Sequence, residues 1–152
     1  YFLESKSKHN FLLFGQLTAP TPELDRKNTV NAIKWFCEKF KDDKRVGLVL
    51  KTSYGKGTKI DRQLTKTAIR QVLGEVREGK FPKVHLIHGN LNQEEVASLY
   101  RHPKIKGVIS ATKGEGYGLP LVEGAASGLP IVATGWSGHT EFLEKGKYLD
   151  VD

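Results

Sequence analysis

Short apolar runs interleaved with helix-like stretches constrain this chain more than any other feature. The runs are Phe11-Leu12-Leu13-Phe14-Gly15, Val46-Gly47-Leu48-Val49-Leu50, Val84-His85-Leu86-Ile87, Gly107-Val108-Ile109 and Pro130-Ile131-Val132-Ala133. A strand with one wet face alternates polar and apolar residues, whereas a run that is apolar throughout is buried on both faces. Such strands belong to a parallel sheet covered by helices. Tyr148 to Val151 reads as the start of a further strand.

The stretches between the runs carry the helical period. From Asp25, which reads as an N-cap, Val30, Ile33, Cys37 and Phe40 share one face, and Trp35 is read as core. Leu64, Ala68, Val72 and Val76 recur every four residues and predict a second helix. Asn92 caps a third, with Glu94 and Glu95 in the first turn, where the helix dipole favours negative charge, and Val96, Leu99 and Tyr100 facing inward. Leu119 to Ser127 is a fourth. Thr18 to Leu24 and Ser53 to Lys59 read as loops. Alternating β and α elements joined by right-handed crossovers predict an α/β, doubly wound, mainly parallel Rossmann-like sheet of about six strands with helices on both faces. The 152 residues fit one domain, and no internal repeat or boundary interrupts them.

Composition narrows the setting. Cys37 is the single cysteine, so no internal disulfide forms, and a reducing, cytoplasmic localisation is expected. The chain holds no methionine, which points to a piece excised from something longer. The formal net charge of +7 calls for an anionic partner: a nucleotide, a phosphorylated substrate, nucleic acid or an acidic membrane surface. No zinc-finger spacing or aromatic RNA-binding signature is present, so nucleic acid is not the expected partner. Peripheral membrane association of a parent protein stays open. His85 and His88 lie three apart in a strand and point to opposite faces, which is poor geometry for a shared metal. Gly74 to Lys80 imitates part of a phosphate-binding loop, but Phe81 stands where Ser or Thr is required.

Ligands of doubly wound sheets bind beyond the carboxyl ends of the strands. After the fourth strand come Gly114, Glu115, Gly116, Tyr117, Gly118, Leu119 and Pro120, then Glu123. The glycines leave a bare loop, and Pro120 suits the first turn of a helix. The amides of Gly118, Leu119 and their neighbours then point out of a helix N-terminus, a ready anion site. Glu115 and Glu123 bracket it. Phosphate repels carboxylates, so both suit neutral hydroxyls. Phosphate in the middle with hydroxyls at both ends describes a nucleotide sugar.

The segment from Glu115 to Glu123, continuing through Gly-Ala-Ala-Ser-Gly-Leu-Pro-Ile-Val-Ala-Thr134, resembles the signature of the large retaining glycosyltransferase family of group 1, or family 4, type. That family includes bacterial sucrose, mannosyl and lipopolysaccharide transferases. Gly138, Thr140 and Glu141 are similar to the residues that follow the signature. Phe14-Gly15-Gln16-Leu17 and Arg26-Lys27-Asn28 are similar to its first strand and phosphate-binding loop. The resemblance implies the C-terminal, donor-binding domain of a two-domain GT-B enzyme, with the N-terminal acceptor domain outside residues 1–152. It implies Glu123 on the ribose, Glu115 on the transferred sugar, and amides of Gly116, Tyr117, Gly118 and Leu119 on the diphosphate and sugar. It also implies Lys27 as the cation that neutralises the leaving group, with Glu115 and Lys27 as the catalytic pair. Gly15, Gln16, Arg26 and Lys51 complete the expected donor site. No cofactor or metal is implied, and catalysis rests on electrostatics and positioning. Gln16 stands where the family often has arginine, a charge that Arg26 or Lys51 would have to replace. The rivals are a non-catalytic sugar-nucleotide-binding module, a basic nucleic-acid-binding domain and a sugar-nucleotide epimerase. Trp136, in a Gly-Trp-Ser-Gly loop, is a further candidate for ligand contact.

Overall fold

The computed structural model describes residues 5–17, 22–52, 57–114, 119–134 and 149–151. The apolar runs form strands β1 His9–Phe14, β2 Val46–Thr52, β3 Lys83–His88, β4 Ile105–Ser110, β5 Ile131–Thr134 and β6 Leu149–Val151. They join in one six-stranded sheet of order β3-β2-β1-β4-β5-β6. Every pairing is parallel, with β1 central between β2 and β4. The alternation of side chains along β1 divides two cores. Leu12 packs with Val49, Val108, Leu99, Tyr100 and Leu121 on one face. Leu13 packs with Leu48, Leu50, Ile33, Phe36 and Ile69 on the other. Helices α1 Thr29–Lys39 and α2 Lys59–Val76 therefore cover one face, and α3 Gln93–Tyr100 and α4 Leu119–Ala126 the other. Each fully buried Leu or Val removed from water contributes about 1.5–3 kcal/mol, so apolar residues at every strand position are what make a sheet with two covered faces stable.

Three expectations for the helices need correction. Asp25 is not the N-cap of α1; the cap position is Asn28, in the left-handed conformation at φ 55. Asp25 nevertheless does the capping from a distance: its buried carboxylate accepts from the amides of Lys27 at 3.0 Å and Thr29 at 2.6 Å. Trp35 is not core, being 47% exposed. In α2 the inward residues are Thr65 and Ile69, while Leu64 is 54% exposed. The predicted loop from Ser53 to Lys59 also ends one residue early, because Thr58 caps α2 in a reciprocal box with Asp61. The Asn92 cap of α3 stands, as a box with Glu95. Cys37 is buried, and burial raises its thiol pKa. Among the described residues no helix is long and apolar enough to cross a membrane.

Candidate functional site

In this strand order the chain leaves β1 toward β2 on one side and reaches β4 on the other. The divergence opens a crevice beyond the carboxyl ends of β1 and β4, the place where open α/β sheets bind ligands. The end of β1 is pressed onto the start of α1. The Gly15 amide donates to the Lys51 carbonyl at 3.1 Å, and the Gln16 amide donates to Thr29 Oγ1 at 3.0 Å. A Cβ on Gly15 would lie 2.6 Å from Thr29 Cγ2, so only glycine lets the backbone approach this closely. The Gln16 side chain is exposed.

Across the crevice, the turn before α1 is fastened to the loop after β4. Arg26 Nη1 donates to the Gly114 carbonyl at 2.6 Å, and the Arg26 carbonyl accepts from the Lys113 amide at 2.8 Å. Lys113 Nζ reaches the Glu23 carbonyl at 2.9 Å. Thr112, fully buried, lies with Oγ1 3.2 Å from the Arg26 carbonyl and 3.0 Å from that of Gly114. Thr134 at the end of β5 donates to the Thr112 carbonyl at 2.9 Å. Arg26 thus holds the start of the glycine loop in place. Lys27 lines a narrow cleft with Phe14, Ser110, Pro120 and Leu121.

A larger cavity of about 510 Å³ lies beside this cleft, walled by Phe14, Lys51, Asn90, Leu91, Tyr100 and Glu123 among others. Lys51 Nζ donates to the Gly89 carbonyl at 2.5 Å, and burial pulls its pKa below the ordinary lysine value. The Phe14 and Tyr100 rings stack at 5.8 Å. The Tyr100 hydroxyl donates to the Pro120 carbonyl at 3.0 Å, anchoring the first turn of α4. Burial, and then the charge of Glu123, push its pKa up, so the hydroxyl keeps its proton. Glu123 is exposed on α4 at the cavity wall, and Leu119 at the start of α4 is 59% exposed. Gly124 lets this helix close on β4, since a Cβ there would sit 2.8 Å from Val108 Cγ2.

Gly15, Gln16, Arg26, Lys27, Lys51, Leu119 and Glu123 therefore gather around one crevice and its adjoining cavity. Glu115, Gly116, Tyr117 and Gly118 lie outside the described residues, as do Trp136, Gly138, Thr140 and Glu141. Sequence reasoning missed the wall formed by Asn90, Leu91 and Gln93. The signal was available: Gly89-Asn90 follows β3 directly, and the rule that ligands sit beyond strand ends applies to β3 as well as to β4. Among the described residues no group of three His, Cys, Asp or Glu could hold a metal.

Comparison with known proteins agrees with this geometry. The family model described as "Glycosyl transferases group 1" matches residues 75–149. A probable sucrose-phosphate synthase of Thermosipho melanesiensis is 30% identical over 125 residues, which are 81% of this chain and 27% of that protein. The chain thus spans about a quarter of that relative's length. Among solved structures, the C-terminal domain of a group 1 glycosyl transferase family protein from Francisella tularensis superposes with a TM-score of 0.68 at 21% identity, over 96% of this chain and 68% of that one. The UDP-forming α,α-trehalose-phosphate synthase of Burkholderia xenovorans, solved with glucose-6-phosphate, gives 0.66 at 13% identity, over 95% of this chain and 33% of that one. The pneumococcal O-GlcNAc transferase, solved with UDP and GlcNAc, gives 0.62 at 21% identity, over 96% of this chain and 25% of that one.

Proposed function

From the match of residues 75–149 to the group 1 glycosyl transferases, we propose that the chain is the donor-binding domain of a two-domain enzyme that transfers a sugar from a nucleoside diphosphate with retention of configuration. The observation that carries this reading is the fastening of the 23–27 turn to the 112–114 loop across the β1/β4 crevice. It brings Lys27 beside the start of α4, so one mouth offers a cation and a helix N-terminus to the same phosphates. The nucleoside fills the cavity beside it, with Glu123 accepting from the ribose hydroxyls. Glu115 orients the transferred sugar. Lys27 stabilises the diphosphate as the bond to the anomeric carbon breaks, and the acceptor oxygen bonds that carbon from the same face. No side chain forms a covalent intermediate. Two of the structural relatives have uridine diphosphate in their descriptions, one as product and one as bound ligand, so uridine diphosphate and its sugars are the first donors to try.

Isothermal calorimetry with uridine, adenosine and guanosine diphosphates, each with and without a chelator, tests this reading. Binding of at least one, unchanged by the chelator, is expected. Binding of none overturns the donor site, and binding that vanishes with the chelator overturns the metal-free role of Lys27. Gln16 supports a second reading, a sugar-nucleotide-binding module without catalysis. Its exposed amide side chain at the end of β1 brings no charge to the leaving group. Turnover by the longer parent protein separates the two.

A further inference from the structure

The positive charge of this chain is concentrated at the end of the sheet opposite the crevice. Because every strand is parallel, the starts of β1, β2, β3 and β4 lie along one edge. The connections that lead into them (residues 5–8, 40–45, 77–82 and 101–104), with the first two residues of each strand, hold eleven lysines and arginines against three carboxylates. That excess of eight matches the net charge of +7 of the whole chain. Two of the three carboxylates are already committed: Asp43 to Arg45 at 3.1 Å and Glu78 to Lys41 at 2.5 Å. Lys6, Lys8, Lys44, Lys80, Lys83 and Lys106 are all exposed, and none has a carboxylate within ion-pairing distance among the described residues. Lys44 and Lys83 both lie over the Phe81 ring, at 5.7 and 5.1 Å from its centre, so two like charges share one ring. A fold does not need this arrangement, since like charges at close range repel.

We propose that this edge docks the chain on an anionic lipid surface. Four neighbouring strand starts, about 4.8 Å apart, present their lysines along a line that a plane can meet all at once. Of the exposed cations on this edge without a carboxylate in ion-pairing distance among the described residues, six are lysines and one, Arg101, is an arginine. Lysines are compact point charges that suit diffuse attraction to charged headgroups, whereas planar arginine forks suit specific phosphate recognition. A nucleic acid is disfavoured by two features. The edge's described residues are turns and strand starts with no helix to enter a groove, and its two phenylalanines are half-buried rather than open to a base, Phe40 against Phe11 and Phe36 and Phe81 against Lys44 and Lys83. Among the described residues no exposed large apolar side chain accompanies the lysines, so docking through them is electrostatic and reversed by salt. The crevice lies about 20 Å away across the length of the strands, and it stays open while the edge is docked. This inference does not depend on what the crevice binds.

Co-sedimentation of the chain with lipid vesicles tests it. The chain is expected to pellet with phosphatidylglycerol-containing vesicles at low salt, to be released at high salt, and to ignore pure phosphatidylcholine. The triple variant Lys44→Gln, Lys83→Gln, Lys106→Gln should lose on the order of a hundredfold in vesicle affinity, about fivefold for each lysine withdrawn from the surface. The triple variant Lys59→Gln, Arg62→Gln, Lys66→Gln on α2 changes net charge equally and should retain most of the binding. Thermal unfolding by circular dichroism checks that both fold; if the edge triple does not, the three single variants are each expected to lose about fivefold. Failure of the unmodified chain to bind anionic vesicles overturns the proposal. So does an equal loss in both triples, which would mean net charge alone. Binding to a single-stranded RNA homopolymer where vesicle binding is absent would assign the edge to nucleic acid.

Discussion

At the scale of single residues, the crevice depends on contacts that leave no room for change. Gly15 sits between Thr29 and Leu50, and an added Cβ would meet Thr29 Cγ2 at 2.6 Å and Leu50 Cδ1 at 3.2 Å. Gly15→Ala must push β1 and α1 apart, so a loss of about 1–3 kcal/mol is expected in urea unfolding, together with weaker nucleoside diphosphate binding. Unchanged stability would mean that the backbone there is looser than the hydrogen bonds of Gly15 and Gln16 indicate. Glu123 and Glu115 should differ in a diagnostic way. Ribose is common to the diphosphate and its sugar, so Glu123→Ala should weaken both ligands by about 1–3 kcal/mol. Glu115→Ala should weaken only the nucleotide sugar. Equal effects of the two substitutions on bare diphosphate, read by calorimetry, would contradict the assignment. Arg26 shows what residue types alone do not reveal. Its charge suits a phosphate, and its Nη1 also donates to the Gly114 carbonyl, so the same side chain ties the turn before α1 to the residue where the glycine loop begins.

At the scale of elements, helix α2 shows why periodicity predicts existence better than orientation. Leu64, Ala68, Val72 and Val76 are spaced by four, but four residues advance about 400° around an α-helix. The series therefore drifts about 40° per step, or about 120° from Leu64 to Val76. Val72 and Val76 pack on the sheet while Leu64 has rotated into solvent, and Thr65 and Ile69 take the inward positions. Ile69→Ala should cost about 2–5 kcal/mol, as buried Ile to Ala changes do. Leu64→Ala should stay within about 0.5 kcal/mol, as surface changes do. Chemical denaturation of the two variants decides it, and a larger cost for Leu64 would restore the face read from spacing. Of the caps, Asn92 was legible, whereas Asp25 caps α1 only from outside the cap position and Thr58 falls in the stretch that reads as loop. Thr58 with Asp61 and Asn92 with Glu95 satisfy each other three residues apart, whatever the rest of the fold does.

At the scale of the whole molecule, the described residues present an open crevice at the carboxyl ends of β1 and β4, and none of them stands opposite it to hold an acceptor. Positioning an attacking alcohol about 3–3.5 Å from the anomeric carbon supplies roughly 7–11 kcal/mol of a transfer barrier. The chain alone should therefore bind donor without transferring the sugar, or release it to water slowly. Incubation with the tightest-binding donor and candidate acceptors, following free nucleoside diphosphate and glycosylated product, measures this. Product at about 1 per second or faster would show that these residues carry their own acceptor site.

The sequence by itself determined the class of fold and the place to look for a site. Strand runs without polar alternation can be buried only between two helical layers, and that holds before any contact is known. A glycine-rich loop with flanking carboxylates after the fourth run marks the region for the same local reason. Tertiary structure decided what depends on distant segments meeting. It placed β1 between β2 and β4, turned Trp35 and Leu64 outward, and set the 23–27 turn against the 112–114 loop. It built the cavity wall from Asn90 and Leu91, and it gathered lysines scattered along the chain onto one edge. Each of these depends on how segments tens of positions apart meet, as Arg26 meets Gly114. Local propensity carries no information about such a pair, because the chain brings its two members together only when the sheet closes.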